Sequence, residues 1–161
     1  MDTLTTLFSH NLWANLQLFE ICAKLTDEQL DSTLDGTFGS ILDTWRHIAR
    51  AESVYFSRVS TGELYNHPKD ASEMTVADVT KSLRTSGESF IERAAKVGAD
   101  ETVRLDWEGT PRDVPKTILL TQAINHATEH RSQIMTILTQ LGIQPPDLDG
   151  WTYFDRIGIV K

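Results

Sequence analysis

Apolar residues recur every three or four positions along four long segments of this chain, which is the spacing of helices with one buried face. Glycine, proline and capping residues interrupt the spacing between the segments and so bound the helices. The predicted helices span residues 3–24, 40–62, 75–98 and 116–141. Helices of roughly 20 to 25 residues are about 30 to 38 Å long and pack well side by side. We therefore predict an all-α fold, a four-helix bundle.

The stretch before the fourth helix has a different pattern. Val103, Leu105 and Trp107 alternate with polar residues, and a turn-rich sequence follows them. This alternation predicts a small β-hairpin or an extended arm, with Pro115 on an edge or just before the helix. The tail from Leu148 onward contains three aromatic residues, and we expect it to pack back on the bundle. No linker or repeat divides residues 1–161, which indicates a single domain.

Charge and cysteine content narrow the function classes. The 161 residues carry a formal net charge of −8, which disfavours binding to nucleic acids and to anionic membranes. A single cysteine, Cys22, excludes an intrachain disulfide, and its place on a core stripe predicts a packed small residue. The first residues lack a signal-peptide pattern, and no apolar run approaches the ~18 residues of a membrane span. We expect a cytoplasmic protein without nucleic-acid or membrane partners.

Two histidines lie on the face of helix four that should be apolar. The predicted buried stripe consists of Leu119, Ala123, His126, His130, Ile134, Ile137 and Leu141. A single buried histidine is more simply a hydrogen-bonded core residue, but two would need two sets of partners. Side chains four residues apart have β-carbons ~5 to 6 Å apart, which lets two imidazoles bind one ion. The pair therefore predicts a metal site.

Two known metal-binding patterns are absent around these histidines. Residue 127 is alanine, so the H-E-x-x-H helix of zinc proteases is excluded. No histidine has a glutamate three residues before it, which excludes the Glu-x-x-His pattern of di-iron bundles. A site for a single ion fits the sequence better.

A third ligand must come from another part of the chain. His47 borders the apolar arc of helix two, where its side chain can reach a neighbouring helix. His10 lies off the stripe of helix one and remains the alternative, whereas His67 falls in a loop and is expected to be exposed. Geometry alone thus favours His47 over His10.

Three polar residues occupy buried stripes of other helices. Glu52 is in line with the apolar residues of helix two, and an acid in that position is seldom buried unpaired. We expect it to pair with an arginine or a tryptophan N–H, and a role as general base or as an acceptor for a metal ligand is the alternative. Asn11 and Asn15 of helix one could orient a substrate, although interhelical hydrogen bonds are the simpler explanation.

Three stretches together resemble the DinB-like family of metal-binding proteins. They are HNLWAN in helix one, GSILDTWRHIARAESVYFSRVSTG in helix two, and NHATEHRSQI followed by LGIQPP in helix four. The resemblance implies a bundle with up-down-down-up connectivity, often dimeric. It also implies one metal ion bound by His47, His126 and His130. The chain departs from the family at Glu129, where histidine is common, at Ser132, where glycine is common, and at His10, where an aromatic residue is common.

The resemblance also suggests a chemistry. Some relatives are thiol-dependent transferases or isomerases, so we expect one divalent ion (zinc or nickel) and a low-molecular-weight thiol as cofactors. The leading hypothesis is a metal-dependent S-transferase acting on a small-molecule electrophile. Imidazoles bind zinc, nickel, copper and iron, so the histidines alone do not identify the metal. A metal-dependent hydrolase and a non-catalytic, metal-stabilised homodimer are the alternatives. An open coordination position would favour catalysis, because structural zinc is normally closed by four protein ligands.

Overall fold

Helices make up most of the protein, which we describe from a computed structural model over residues 2–158. Within these residues lie six α-helices and one antiparallel pair of strands, together with short 3₁₀ turns at Ala71–Glu73 and Ala94–Lys96. In chain order the elements are α1 (Thr3–Cys22), α2 (Asp27–Leu30), α3 (Ile41–Ser60), α4 (Val76–Arg93), β1 (Thr102–Trp107), β2 (Thr110–Pro115), α5 (Lys116–Gln140) and α6 (Gly150–Ile157). The predicted predominance of helix is confirmed.

The long helices begin at the capping residues that the sequence indicates. The Ser40 side chain accepts a hydrogen bond from the Asp43 amide at the start of α3. Thr75 and Asp78 form a reciprocal capping box at the start of α4. The helices end earlier than predicted. For example, α4 ends at Arg93, and the chain continues as a 3₁₀ turn.

The four long helices surround an interior that contains two clusters of buried apolar residues. Helices α1 and α3 each pack against both α4 and α5, and one core cluster lies toward each end. The predicted α5 stripe is buried at most positions, but Leu141 follows the last turn and is exposed. Two short helices, α2 and α6, were not predicted as helices. The capping box at the start of α2, between Thr26 and Gln29, was recognisable in the sequence.

A β-hairpin leads directly into α5, which confirms the predicted hairpin. Its strands pair from Thr102 opposite Pro115 to Trp107 opposite Thr110. The turn residues Glu108 and Gly109 have φ values of 52° and 79°, the positive values that a two-residue hairpin turn requires. Val103 and Leu105 are buried against the core, so the hairpin covers one end of the helices.

The tail packs back on α1, as its aromatic residues predicted. Tyr153 of α6 is buried and meets the His10 ring edge-on, with ring centroids 5.4 Å apart. The His10 Nε2 lies 2.8 Å from the Leu148 carbonyl oxygen. Residues 159–161 of the predicted tail lie outside the described residues. Over residues 2–158, every helix is too short or too polar to cross a membrane.

The crossing of α1 and α4 generates the first prediction. Gly87 of α4 is buried, and a β-carbon there would lie 2.6 Å from Leu12 Cδ1 and 3.0 Å from Leu12 Cβ. Gly87→Ala should therefore lower the free energy of unfolding by about 1 to 3 kcal/mol, although alanine is the better helix former. Urea denaturation measures the change. Gly150→Ala is the control because its β-carbon meets nothing within 4 Å, and an equal or smaller loss at Gly87 would contradict close packing.

Candidate metal centre

Three histidines from two helices meet near the middle of the protein. His47 lies on α3, and His126 and His130 lie one turn apart on α5. The possible ligand atoms of all three lie within 4.8 Å of one another. The Nε2 atoms of His47 and His126 are 2.8 Å apart, and the His130 ring stands edge-on to both other rings. The structure thus brings together the three residues that the sequence singled out.

The surroundings favour the neutral forms of His47 and His126. Burial, together with the charge of His130, lowers the pKa of His47 below its ordinary value. Burial and the charges of His130 and His47 lower the pKa of His126 to about 4. Neutral imidazoles have a free lone pair at neutral pH, which is the form that binds a metal.

The donor set fits a divalent metal ion. Two nitrogens bound at ~2.0 to 2.1 Å to the same ion lie roughly 2.9 to 3.4 Å apart, close to the 2.8 Å between His47 and His126. Without an ion, the two nitrogens can interact only through a single shared proton. The buried His126 Nδ1 has no hydrogen-bond partner among residues 2–158. Among the described residues, no cysteine, aspartate, glutamate or further histidine joins the group. The cluster therefore offers three protein ligands.

Two residues beside the cluster, Gln133 and Phe38, were not predicted from the sequence. The Gln133 Oε1 accepts hydrogen bonds from His130 Nδ1 at 2.8 Å and from the Phe38 amide at 3.2 Å. The Phe38 ring stacks on His47, with centroids 4.1 Å apart, and about half of its surface stays exposed. The i, i+3 spacing of His130 and Gln133 was the available signal for the first contact. No sequence pattern pointed to Phe38, which lies in the loop before α3.

The other histidines lie elsewhere. His10 is bound to the Leu148 carbonyl oxygen and packs with Tyr153, so it takes no part in the cluster. His67, expected to be exposed, is partly buried in its loop, where its Nδ1 lies 3.2 Å from the Lys69 amide nitrogen. The geometric preference for His47 over His10 agrees with the observed positions.

Glu52, Asn11 and Asn15, for which the sequence left a catalytic role open, form a separate buried network. Asn11 and Asn15 of α1 each donate a hydrogen bond of 2.8 Å to Glu52 Oε1. Ser86 of α4 donates to Glu52 Oε2 at 3.1 Å. Burial raises the pKa of Glu52, while these donors and the charge of Arg131 oppose that rise. Glu52 is therefore hydrogen-bonded inside the core to two asparagines and a serine, whereas the sequence predicted direct pairing with an arginine or a tryptophan N–H.

Arg131 completes this network and was missed by the sequence analysis. Its Nη1 donates to Asn11 Oδ1 at 2.7 Å and to Asn15 Oδ1 at 2.6 Å. Burial lowers the pKa of Arg131 to about 10, so the guanidinium remains charged at neutral pH. The two asparagines thus connect a buried cation to a buried acid. Arginine is almost never fully buried unless paired, which is why periodicity alone did not place it in the core.

Cys22 is buried in the apolar core, as its stripe predicted. Burial raises the pKa of its thiol to about 11, so almost none of it is thiolate at neutral pH. A separate cavity of about 490 Å³ lies between α3 and α4, lined by Ser53, Ser57 and other residues but by none of the three clustered histidines.

Comparison with known proteins places the chain in a family. The model of the DinB family matches residues 1–156. A crystal structure of a DinB-like protein from Bacillus cereus superposes with a TM-score of 0.60. The two chains are 23% identical, and the alignment covers 86% of this chain and 91% of the other, a likeness that supports the fold alone. A search of curated proteins found no match.

The buried network generates a prediction about pH. Arg131→Met removes the cation opposite Glu52 and should lower the free energy of unfolding by about 3 to 5 kcal/mol at pH 7.5. Without the cation, the pKa of Glu52 rises further above its unfolded value. A raised pKa gives stability that is present at low pH and lost as pH rises through the folded pKa, so the loss should be smaller at pH 5. Denaturant titrations of variant and wild type at both pH values measure this.

Two further variants test whether Glu52 causes the pH dependence expected of Arg131→Met. Arg84→Met removes an exposed arginine of α4 and should change stability little at either pH. Adding Glu52→Gln to Arg131→Met should abolish the extra pH dependence. An equal loss at pH 5 and pH 7.5 in the single variant would show that Glu52 does not respond to Arg131.

Proposed function

Because the chain belongs to the DinB family, we propose that it binds one divalent metal ion through His47, His126 and His130 and uses it in catalysis. The observation that carries the proposal is the convergence of three ligand atoms within 4.8 Å. Neutral imidazoles suit zinc or nickel, which are the metals we expect.

An incomplete ligand set supports catalysis over a purely structural ion. Structural zinc sites are normally closed by four protein ligands, whereas catalytic zinc retains an open position. The described residues offer three ligands, and two of them, His47 and His126, are only half-buried. A small molecule can therefore approach the cluster from solvent.

The reaction we propose is the transfer of a low-molecular-weight thiol to a small electrophile. A bound divalent ion supplies a Lewis acid that lowers the pKa of a thiol or of water. The sulfur–carbon bond forms as the leaving group departs, and the thiol proton passes to solvent. The reacting sulfur comes from the cofactor, because Cys22 is buried and protonated.

A non-catalytic role has one observation in its favour. The cluster joins α3 to α5, so a bound ion would hold two helices together and stabilise the fold. Turnover separates the alternatives: a metal-stabilised bundle would bind the ion without converting any substrate. A hydrolase would act on the electrophile without added thiol.

The finer features of the fold belong to the same proposal. We infer up-down-down-up connectivity for α1, α3, α4 and α5 from the family, and the contacts of α1 and α3 with both α4 and α5 are compatible with it. We also propose a homodimer, as is common in the family. Light scattering on the purified protein measures the mass in solution.

The metal site yields a prediction. Protein purified without a histidine tag should contain one zinc or nickel ion per chain, and His47→Ala, His126→Ala or His130→Ala should each weaken binding by orders of magnitude. His10→Ala is the control, because His10 contacts Leu148 and not the cluster. Elemental analysis and titration against a chelator measure both effects. Unchanged stoichiometry in all three cluster variants would refute the site.

The proposed thiol mechanism yields a prediction about turnover. Turnover of a chlorinated aromatic compound or an epoxide with a panel of low-molecular-weight thiols should require the metal. Cys22→Ala should keep most activity, with a modest loss of stability from the buried cavity. Removal of the metal should abolish turnover while circular dichroism still reports a helical protein. Metal-independent turnover that disappears in Cys22→Ala would overturn the mechanism.

A further inference from the structure

One side-chain oxygen links the histidine cluster to the loop before α3. Gln133 Oε1 lies 2.8 Å from His130 Nδ1 and 3.2 Å from the backbone nitrogen of Phe38. His130 and Gln133 are neighbours on α5, whereas Phe38 is distant in sequence. A change at this oxygen therefore affects both a candidate metal ligand and the loop.

The two contacts fix the tautomer of His130. The Phe38 amide can only donate, so the atom of Gln133 that faces it must be the oxygen. The same oxygen can only accept, so His130 must carry its proton on Nδ1. Its Nε2 then holds the lone pair, as a metal ligand requires. Such hydrogen bonds to the far nitrogen orient histidine ligands and raise their basicity.

The loop in turn forms one wall of the cluster. The Phe38 ring lies nearly parallel to the His47 ring, at 17°, and meets the His130 ring edge-on at a centroid distance of 5.2 Å. The hydrogen bond from the Phe38 amide to Gln133 therefore holds an aromatic ring against two of the three histidines. About half of the Phe38 surface remains exposed beside the cluster.

We propose that Gln133 is a positioning residue that sets the tautomer of His130 and fixes the Phe38 loop, so that metal binding and loop order are coupled through one side-chain oxygen. The proposal rests on the metal site of the proposed function. Binding of the ion immobilises His130, which holds Gln133 in place and strengthens its contact with Phe38. Loss of Gln133 frees the loop and removes the tautomer preference.

Nuclear magnetic resonance on the full chain tests both parts of the proposal, the tautomer of His130 and the order of the Phe38 loop. Gln133→Leu removes the acceptor, Gln133→Glu retains one, and Gln122→Leu is a matched control at an exposed position of the same helix. Imidazole nitrogen shifts report which His130 nitrogen is protonated, and hydrogen exchange reports the Phe38 amide. Chelator titration gives zinc affinity, and the visible absorption of bound cobalt reports ligand geometry.

In the wild type, zinc should slow exchange of the Phe38 amide at least severalfold. Gln133→Leu should speed that exchange, abolish its response to zinc, alter the cobalt spectrum and weaken zinc binding by about 10- to 100-fold. Gln133→Glu should keep the protection of Phe38 and bind zinc within about threefold of the wild type, as should Gln122→Leu. If Gln133→Leu fails to fold, the wild type still decides, because its His130 tautomer and the response of its Phe38 amide to zinc are both measured directly.

The outcomes separate this inference from the proposed function. Wild-type protein that binds no zinc refutes the proposed function and, with it, the coupling to metal, while the His130 tautomer shows whether the hydrogen-bonded link itself exists. Zinc binding that leaves Phe38 exchange unchanged, or a wild-type His130 protonated on Nε2, refutes the positioning role and leaves the metal site intact.

Discussion

The buried connection between Glu52 and Arg131 constrains how the long helices pack. Removing two charges from water costs several kcal/mol per ion unless each finds good hydrogen bonds. Here two asparagines of α1 accept from the cation and donate to the acid, while Ser86 of α4 supplies a further donor. The network therefore contacts all four long helices. Rotating or sliding any of them would leave a buried polar group unpaired.

The same constraint positions the histidines. His130 and Arg131 are adjacent on α5, so their side chains project about 100° apart around the helix axis. When Arg131 points to the asparagines of α1, His130 must face another side, where it meets α3. On α3, Glu52 and His47 are five residues apart, so their side chains project about 140° apart around the helix axis. A buried hydrogen-bond network thus determines the orientation of two helices that carry the cluster, without any contact between Glu52 and a candidate ligand.

Sequence patterns predicted the features that depend on local chemistry. Capping residues marked the starts of α3 and α4, alternation marked the hairpin, and the paired positions of His126 and His130 marked the site. These patterns did not predict which buried side chains would contact one another across helices. Periodicity identified Asn11, Asn15 and Glu52 as buried, but the cation that binds both asparagines lies more than a hundred residues from them in the sequence. Gln133 and Phe38 were missed because their contacts depend on side-chain conformation and loop path, which no helical repeat encodes.

The distribution of burial around the cluster explains why, in the reaction that we propose, the reacting groups come from outside the chain. Cys22, the single thiol, lies in the apolar core with its pKa raised to about 11, and Glu52 is held by hydrogen bonds deep between the helices. Neither is part of the cluster. His47 and His126, in contrast, are half-buried, and Phe38 exposes an aromatic surface beside them. In the proposed function, the chain therefore provides the metal ligands, their orientation and an apolar wall, and the nucleophile and the electrophile both enter through the exposed side.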